Sequence, residues 1–99
     1  MTVDIDMIMT QTLKKMEKKE SCEYRRKIAK DKTLVVDFCF EYCDTLGENV
    51  LVETHVSVIK EGKMIEDTIV NHVTGDFKDT LRDSIVYAIK CVLPNSDIK

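Results

Sequence analysis

Apolar and polar side chains alternate with a period of two through residues 34–43. Leu34, Val36, Phe38, Phe40 and Tyr42 stand against Val35, Asp37, Cys39, Glu41 and Cys43. The alternation resumes after Asp44-Thr45-Leu46-Gly47-Glu48, with Val50, Val52, Thr54, Val56 and Val58 against Leu51, Glu53, His55, Ser57 and Ile59. Two such runs around a Gly-containing break predict an antiparallel β-hairpin with one buried face. The even-numbered side chains are expected inside and the odd-numbered ones outside. A five-residue loop from Asp44 to Glu48 would set Asp37 opposite His55 and Cys39 opposite Glu53. A two-residue shift would set Glu41 against Glu53, a repulsive pair.

The flanks change period. Ile5, Ile8, Met9, Thr12, Leu13 and Met16 recur at helical spacing, which predicts an amphipathic helix over 4–20. Asp4 or Asp6 would lie at its N-terminus and lysines toward its C-terminus, as the macrodipole favours. Val3, Ile5, Met7 and Met9 also alternate as a strand would. Phe77, Leu81, Ile85, Ala88, Ile89 and Val92 form a second helical stripe, capped by Thr74-Gly75-Asp76 and ended by Pro94. Residues 95–99 are expected to fray. Lys60-Glu61-Gly62-Lys63 reads as a tight turn into a further strand, with helix as the rival for 64–73. That strand needs a bulge if Ile65 and Ile69 are to stay on the core side. Residues 21–32, with only Tyr24 and Ile28 as large apolar residues, fit either a loop or a charged edge strand.

The resulting order, α-(β)-β-β-β-α, predicts one α+β domain over 1–99. Its three- or four-stranded antiparallel sheet is packed on one face by the N- and C-terminal helices. With 99 residues, one Pro and three Gly, the chain has room for a modest core and little irregular structure. The longest apolar run, Ile85–Ile89, is far short of the ~20 residues that span a bilayer. The acidic start lacks a signal-peptide pattern, so a cytoplasmic location is expected and no membrane partner. Cys39 and Cys43 would lie roughly 13 Å apart along a strand, too far for a disulfide. Reduced thiols are expected for these and for Cys22 and Cys91.

Charge is uneven. Residues 14–32 hold nine basic and four acidic side chains, whereas residues 33–99 hold six basic and twelve acidic. Separated signs of this size can steer charged partners. The outward side of the hairpin mixes carboxylates with His55, Cys39 and Cys43, atom types that suit zinc or acid–base work. The spacing assembles neither a tetrahedral ligand set nor a thiolate–imidazole pair with an oxyanion hole. No phosphate loop, Gly-x-Ser-x-Gly turn or His-Glu-x-x-His pair occurs. The expectation is therefore a non-enzyme without metal or cofactor.

The reading favoured on these grounds is a small acidic protein-binding or inhibitory module that acts by occupying a partner's surface. A phage- or mobile-element-encoded inhibitor of a host nuclease or defence protein is one concrete form. Asp37, Glu41, Glu53, His55, Glu66 and Asp67 are the expected protein-binding residues. Val35, Leu51 and Ile59 on the same face suggest a homodimer, through the sheet face or edge to edge. The alternative is a nucleic-acid-binding module using the basic segment 14–32, with Lys18, Lys19, Arg25, Arg26 and Lys27 on phosphates. An αβββα order is similar in topology to the double-stranded RNA-binding domain, where a basic cluster opens the last helix. The corresponding stretch here, Thr74–Asp79, is net acidic and would repel a phosphate backbone.

Overall fold

β-Branched and aromatic residues at alternating positions make Lys32–Cys43 and Glu48–Lys60 the two long strands at the centre of the sheet. The computed structural model describes residues 2–70 and 77–98, with residues 69 and 70 described by their backbone alone. Its elements in chain order are β1 (Thr2–Val3), α1 (Ile5–Met16), β2 (Cys22–Ala29), β3 (Lys32–Cys43), β4 (Glu48–Lys60), β5 (Lys63–Val70), α2 (Phe77–Val92) and β6 (Asp97–Ile98). Strands β2-β3-β4-β5 form an antiparallel meander in that order. Helix α1 packs on β2, and α2 packs on β4 and β5. The α+β class and the two helices on one face of the sheet are as the pattern predicts. The segment 21–32 resolves into the edge strand β2. The expected helix cap at Thr74-Gly75-Asp76 and the strand reading of 71–73 fall outside the described residues.

Leu34, Val36, Phe38, Val56 and Val58 lie on the helix-facing side, each 1% exposed or less, with Thr54 buried beside them. Ile5 and Ile8 of α1 and Leu81, Ile85, Ala88 and Ile89 of α2 close the core from above. Full burial of such aliphatic side chains contributes ~1.5–3 kcal/mol each before entropy is counted.

Among β3, β4 and β5, bulges modify the expected alternation at two places. Asp37 pairs with His55 and Cys39 with Glu53, but Phe40 pairs with Leu51, leaving Val52 as the extra residue. The turn that follows is one residue shorter than expected, since Cys43 pairs with Glu48. It closes through Gly47 N–H donating to the Cys43 carbonyl at 2.8 Å, with Gly47 at φ 68°. The bulge supplies the residue that the shorter turn lacks, so the pairing at Asp37–His55 is the expected one. Beyond the bulge the sides exchange. Leu51, not Val52, packs against the core; Val52 is 44% exposed and Tyr42, at the strand end, 64%.

The second bulge lies in β5. Ile59 pairs with Met64 and Val58 with Glu66, so Ile65 is the extra residue and is 42% exposed. The bulge precedes Glu66, which sets the later alternation: Thr68 pairs with the inward Val56, and Ile69 is in register with His55. The bulge therefore does not hold Ile65 in the core, contrary to expectation. The Glu61-Gly62 turn matches prediction, with both residues at positive φ, as a two-residue hairpin loop requires.

The termini also differ from expectation. Helix α1 ends at Met16 rather than near residue 20, because residues 17–21 offer nothing apolar to bury. Lys19 then takes φ 53° to turn the chain into β2. Asp4 is the N-cap, its carboxylate accepting from the Met7 N–H at 3.0 Å. The C-terminal tail is not frayed throughout. Asp97–Ile98 runs parallel to Thr2–Val3, and Val3 is 5% exposed.

Candidate functional site

With both helices on one side, the opposite side of the four-stranded sheet is uncovered by any other element among the described residues. Strand register composes what it displays. Glu23, Asp37 and His55 stand directly across from one another on β2, β3 and β4. The next row is Arg25, Val35, Ser57 and Asp67. On the other flank, Cys39 faces Glu53. Ser21, Cys22, Glu23, Asp37, Cys39 and His55 border a shallow depression of about 470 Å³.

His55 is the hub. Its Nε2 lies 3.0 Å from Glu53 Oε2 and its Nδ1 3.9 Å from Asp67 Oδ1. The hydrogen bond to Glu53 raises the imidazole pKa above its usual value; burial opposes it, and the charges of Glu53, Asp67 and Asp37 add to the rise. Along β2, Arg25 Nε donates to Glu23 Oε1 at 2.6 Å, which keeps the Glu23 carboxylate more acidic than usual. Burial, a hydrogen bond with Glu23 and the Glu23 charge together raise the pKa of Asp37. The two carboxyl groups are thus unequal: Glu23 holds its charge and Asp37 is the one that retains a proton more readily.

This hub gives a signed pH dependence. His55 binds a proton more tightly in the folded chain than at its ordinary value of 6.5. Its stabilising contribution is complete below about pH 6.5 and is lost as pH rises through the higher folded value. Asp37 acts in the same sense at lower pH, its contribution fading as pH rises above 3.8 toward its raised folded value. The His55 partners are half-exposed, so the effect should be ~0.2–1 kcal/mol. The stability of the protein minus that of His55→Gln, from urea midpoints between pH 5.5 and 8.5, should shrink with rising pH. A flat or rising difference would contradict the geometry.

Four of the six expected protein-binding residues, Asp37, Glu53, His55 and Asp67, come together in this way. Glu41 is exposed on β3 beyond the first bulge, in register with Val50, and stands nearer the hairpin tip. Glu66 is not on this face: it pairs with the inward Val58, and its charge acts on Tyr87 of α2. Of the apolar residues expected here, Val35 is buried at 2% exposure within the chain and Leu51 turns to the core. Sequence reasoning passed over Glu23, whose signal was the odd-numbered alternation Glu23, Arg25, Lys27 that appears once 22–29 is a strand.

The basic residues expected to bind phosphates do not all share one surface. Arg25 is spent on Glu23, and Lys19 Nζ lies 3.7 Å from Glu48 Oε2. Arg26 points to the helix side, where its Nη1 donates to Gln11 Oε1 at 3.4 Å. Lys27 borders the outer edge of β2, while Lys18 belongs to α1's C-terminal exit.

All four cysteines are free thiols. Cys22 Sγ donates to the Lys15 carbonyl at 3.6 Å, and burial raises its pKa, which keeps it a thiol rather than a nucleophilic thiolate. Among the described residues no three His, Cys, Asp or Glu side chains are placed to hold one metal ion. No described helix is long and apolar enough to cross a membrane. No protein-family model, curated protein or solved structure matches the chain.

Proposed function

We propose that the protein is a binding module that docks a basic surface of a protein partner onto the uncovered side of its sheet. The observation that carries this reading is the convergence of Asp37, Glu53 and Asp67 around His55 on a face that no other element covers among the described residues. A rigid sheet presents these groups at fixed spacing, so little ordering entropy is lost on docking. Carboxylates so placed pair with Lys or Arg of the partner and speed encounter by steering. Val35 and Ser57, each 2% exposed, give the face a filled floor. Occupation of a basic, nucleic-acid-reading surface of a nuclease or defence protein is the form of inhibition this chemistry supports.

The test compares the protein with an Asp37→Asn/Glu53→Gln/Asp67→Asn variant as immobilised baits for cell extract. A stoichiometric partner should bind the protein, elute as salt rises, and bind the triple variant at least tenfold more weakly. Recovery of no partner, or of one held equally by the variant, would overturn the reading.

A further inference from the structure

We propose that the edge formed by α1 and β2 is a second binding surface, and that it takes the phosphate backbone of a double-stranded nucleic acid. This surface is separate from the acidic face. Two depressions run along it, one beneath Lys14 and Lys15 of α1 and Lys18 just past its end, the other bordered by Arg26, Lys27 and Lys30 at the outer edge of β2. A hydrogen-bonded network centred on Gln11 joins them. Tyr24, 7% exposed, donates its hydroxyl to Gln11 Oε1 at 2.6 Å, and the same oxygen accepts from Arg26 Nη1. The guanidinium is thereby held between the two depressions with donors to spare.

The cations of this edge are unspent. Among the described residues, none of Lys14, Lys15, Lys18, Lys27 and Lys30 forms an ion pair, whereas Lys19, Arg25, Lys32, Lys60 and Arg82 all do. Asp4, the one carboxylate bordering the depressions, is turned to the Met7 N–H as a helix cap. Asp37, Glu53 and Asp67 project from the opposite side of the sheet, so they do not neutralise the edge.

Three kinds of polyanion could meet such a surface. A membrane is disfavoured because the apolar stripe of α1 is spent on the core, with Ile5, Ile8 and Thr12 at 0% exposure, and nothing remains to insert. An acidic protein carries no condensed counterions, so each lysine gains less from it than from a duplex with one charge per ~1.7 Å. Single strands are held largely by stacking on aromatic side chains. The aromatic residue of this edge, Tyr24, is buried with its hydroxyl engaged. A duplex read through its backbone, without base specificity, is what the edge fits.

Fluorescence polarisation with labelled 20-base-pair DNA and RNA duplexes, the corresponding single strands, and anionic phosphatidylserine vesicles tests this. Three to four phosphate contacts predict a log–log salt slope of about −3 to −4, a loss of roughly a hundredfold between 50 and 200 mM salt. Lys14→Ala/Lys15→Ala/Lys18→Ala should bind a duplex at least tenfold more weakly at 50 mM salt, with a slope shallower by about 2 to 3. Alanine favours the helix at Lys14 and Lys15, and Lys18 is exposed just past its end, so this variant keeps its fold, which circular dichroism checks. Lys63→Ala/Lys78→Ala/Lys90→Ala removes equal charge from β5 and α2, away from the edge, and should stay within about twofold of the parent. Duplex binding that is absent at 50 mM salt, or falls equally in both triple variants, would overturn the proposal. So would tighter binding to a single strand or binding to vesicles alone. Loss of the protein partner on Asp37→Asn/Glu53→Gln/Asp67→Asn without loss of duplex binding would separate the two surfaces.

Discussion

Phe38→Ala should lower the free energy of unfolding by ~3–5 kcal/mol. Small domains of this kind are stable by only ~5–15 kcal/mol, so the variant stands near the edge of folding. Phe38 sits at the middle of β3, between Cys22 on β2 and Thr54 on β4, where the helix-facing side is covered by both helices. It is 1% exposed and the largest of the fully buried side chains. A ring removed there leaves a cavity that sheet and helices can only partly collapse, because β3 is hydrogen-bonded on both edges and cannot move inward alone. Urea unfolding should show a large fall in midpoint with the slope unchanged, and the melting temperature should drop by on the order of 20 °C. Phe38→Leu should recover about half of the loss, since it restores most of the apolar area. Phe40→Ala is the internal comparison. Phe40 is only half-buried, beyond the first bulge, and should lose less than half as much. Equal losses at 38 and 40 would mean that the core extends to the hairpin tip, against the burial seen.

The same two positions show how far the fold was legible. Leu34, Val36 and Phe38 opposite Val58, Val56 and Thr54 could be read directly, because side-chain period in a strand is two and one buried face enforces it. The pairing of Asp37 with His55 followed from a loop count that was one residue too long. It survives because Val52 bulges out and restores the frame. Bulges leave no simple mark in such a pattern: Val50, Leu51 and Val52 are all apolar, and nothing in their identities says which one turns inward. The shift in β5 hid in the same way, since Met64 and Ile65 are equally apolar. Its consequence reached the candidate site, separating Glu66, on the helix side, from Asp67, beside His55.

Strand β2 was the other gap. Two large apolar residues, Tyr24 and Ile28, among many charges fit a loop as well as an edge strand. Only the register with β3 shows that Glu23 joins Asp37 and that Arg25 neutralises it. Arg25 and Arg26 are neighbours in sequence but point to opposite sides of the sheet, which splits a run of charge into two environments with different chemistry. A charge count along the chain sees the run; only three-dimensional pairing sees which members are spent.

Thr12→Val should stabilise the protein by ~1–2 kcal/mol, the reverse of what most core substitutions do. Thr12 lies on the apolar stripe of α1 between Ile8 and Met16 and is fully buried. Its Oγ1 is buried and has no hydrogen-bond partner among the described residues. A hydroxyl taken from water without a replacement bond costs ~1–3 kcal/mol in proteins. Valine has nearly the same shape and a similar helix propensity, so the substitution removes that cost and adds apolar contact. Urea midpoint and melting temperature should both rise, the latter by roughly 4–8 °C per kcal/mol for a domain of this size. Thr12→Ser keeps the hydroxyl and deletes the methyl group, so it should be destabilising by ~1 kcal/mol. An unchanged or lower midpoint for Thr12→Val would show that the hydroxyl is satisfied in solution, for example by the Ile8 carbonyl one turn earlier. If the gain is seen, α1 is held by burial of its stripe rather than by polar specificity. That leaves the exposed lysines of the same helix free of any structural duty to the core.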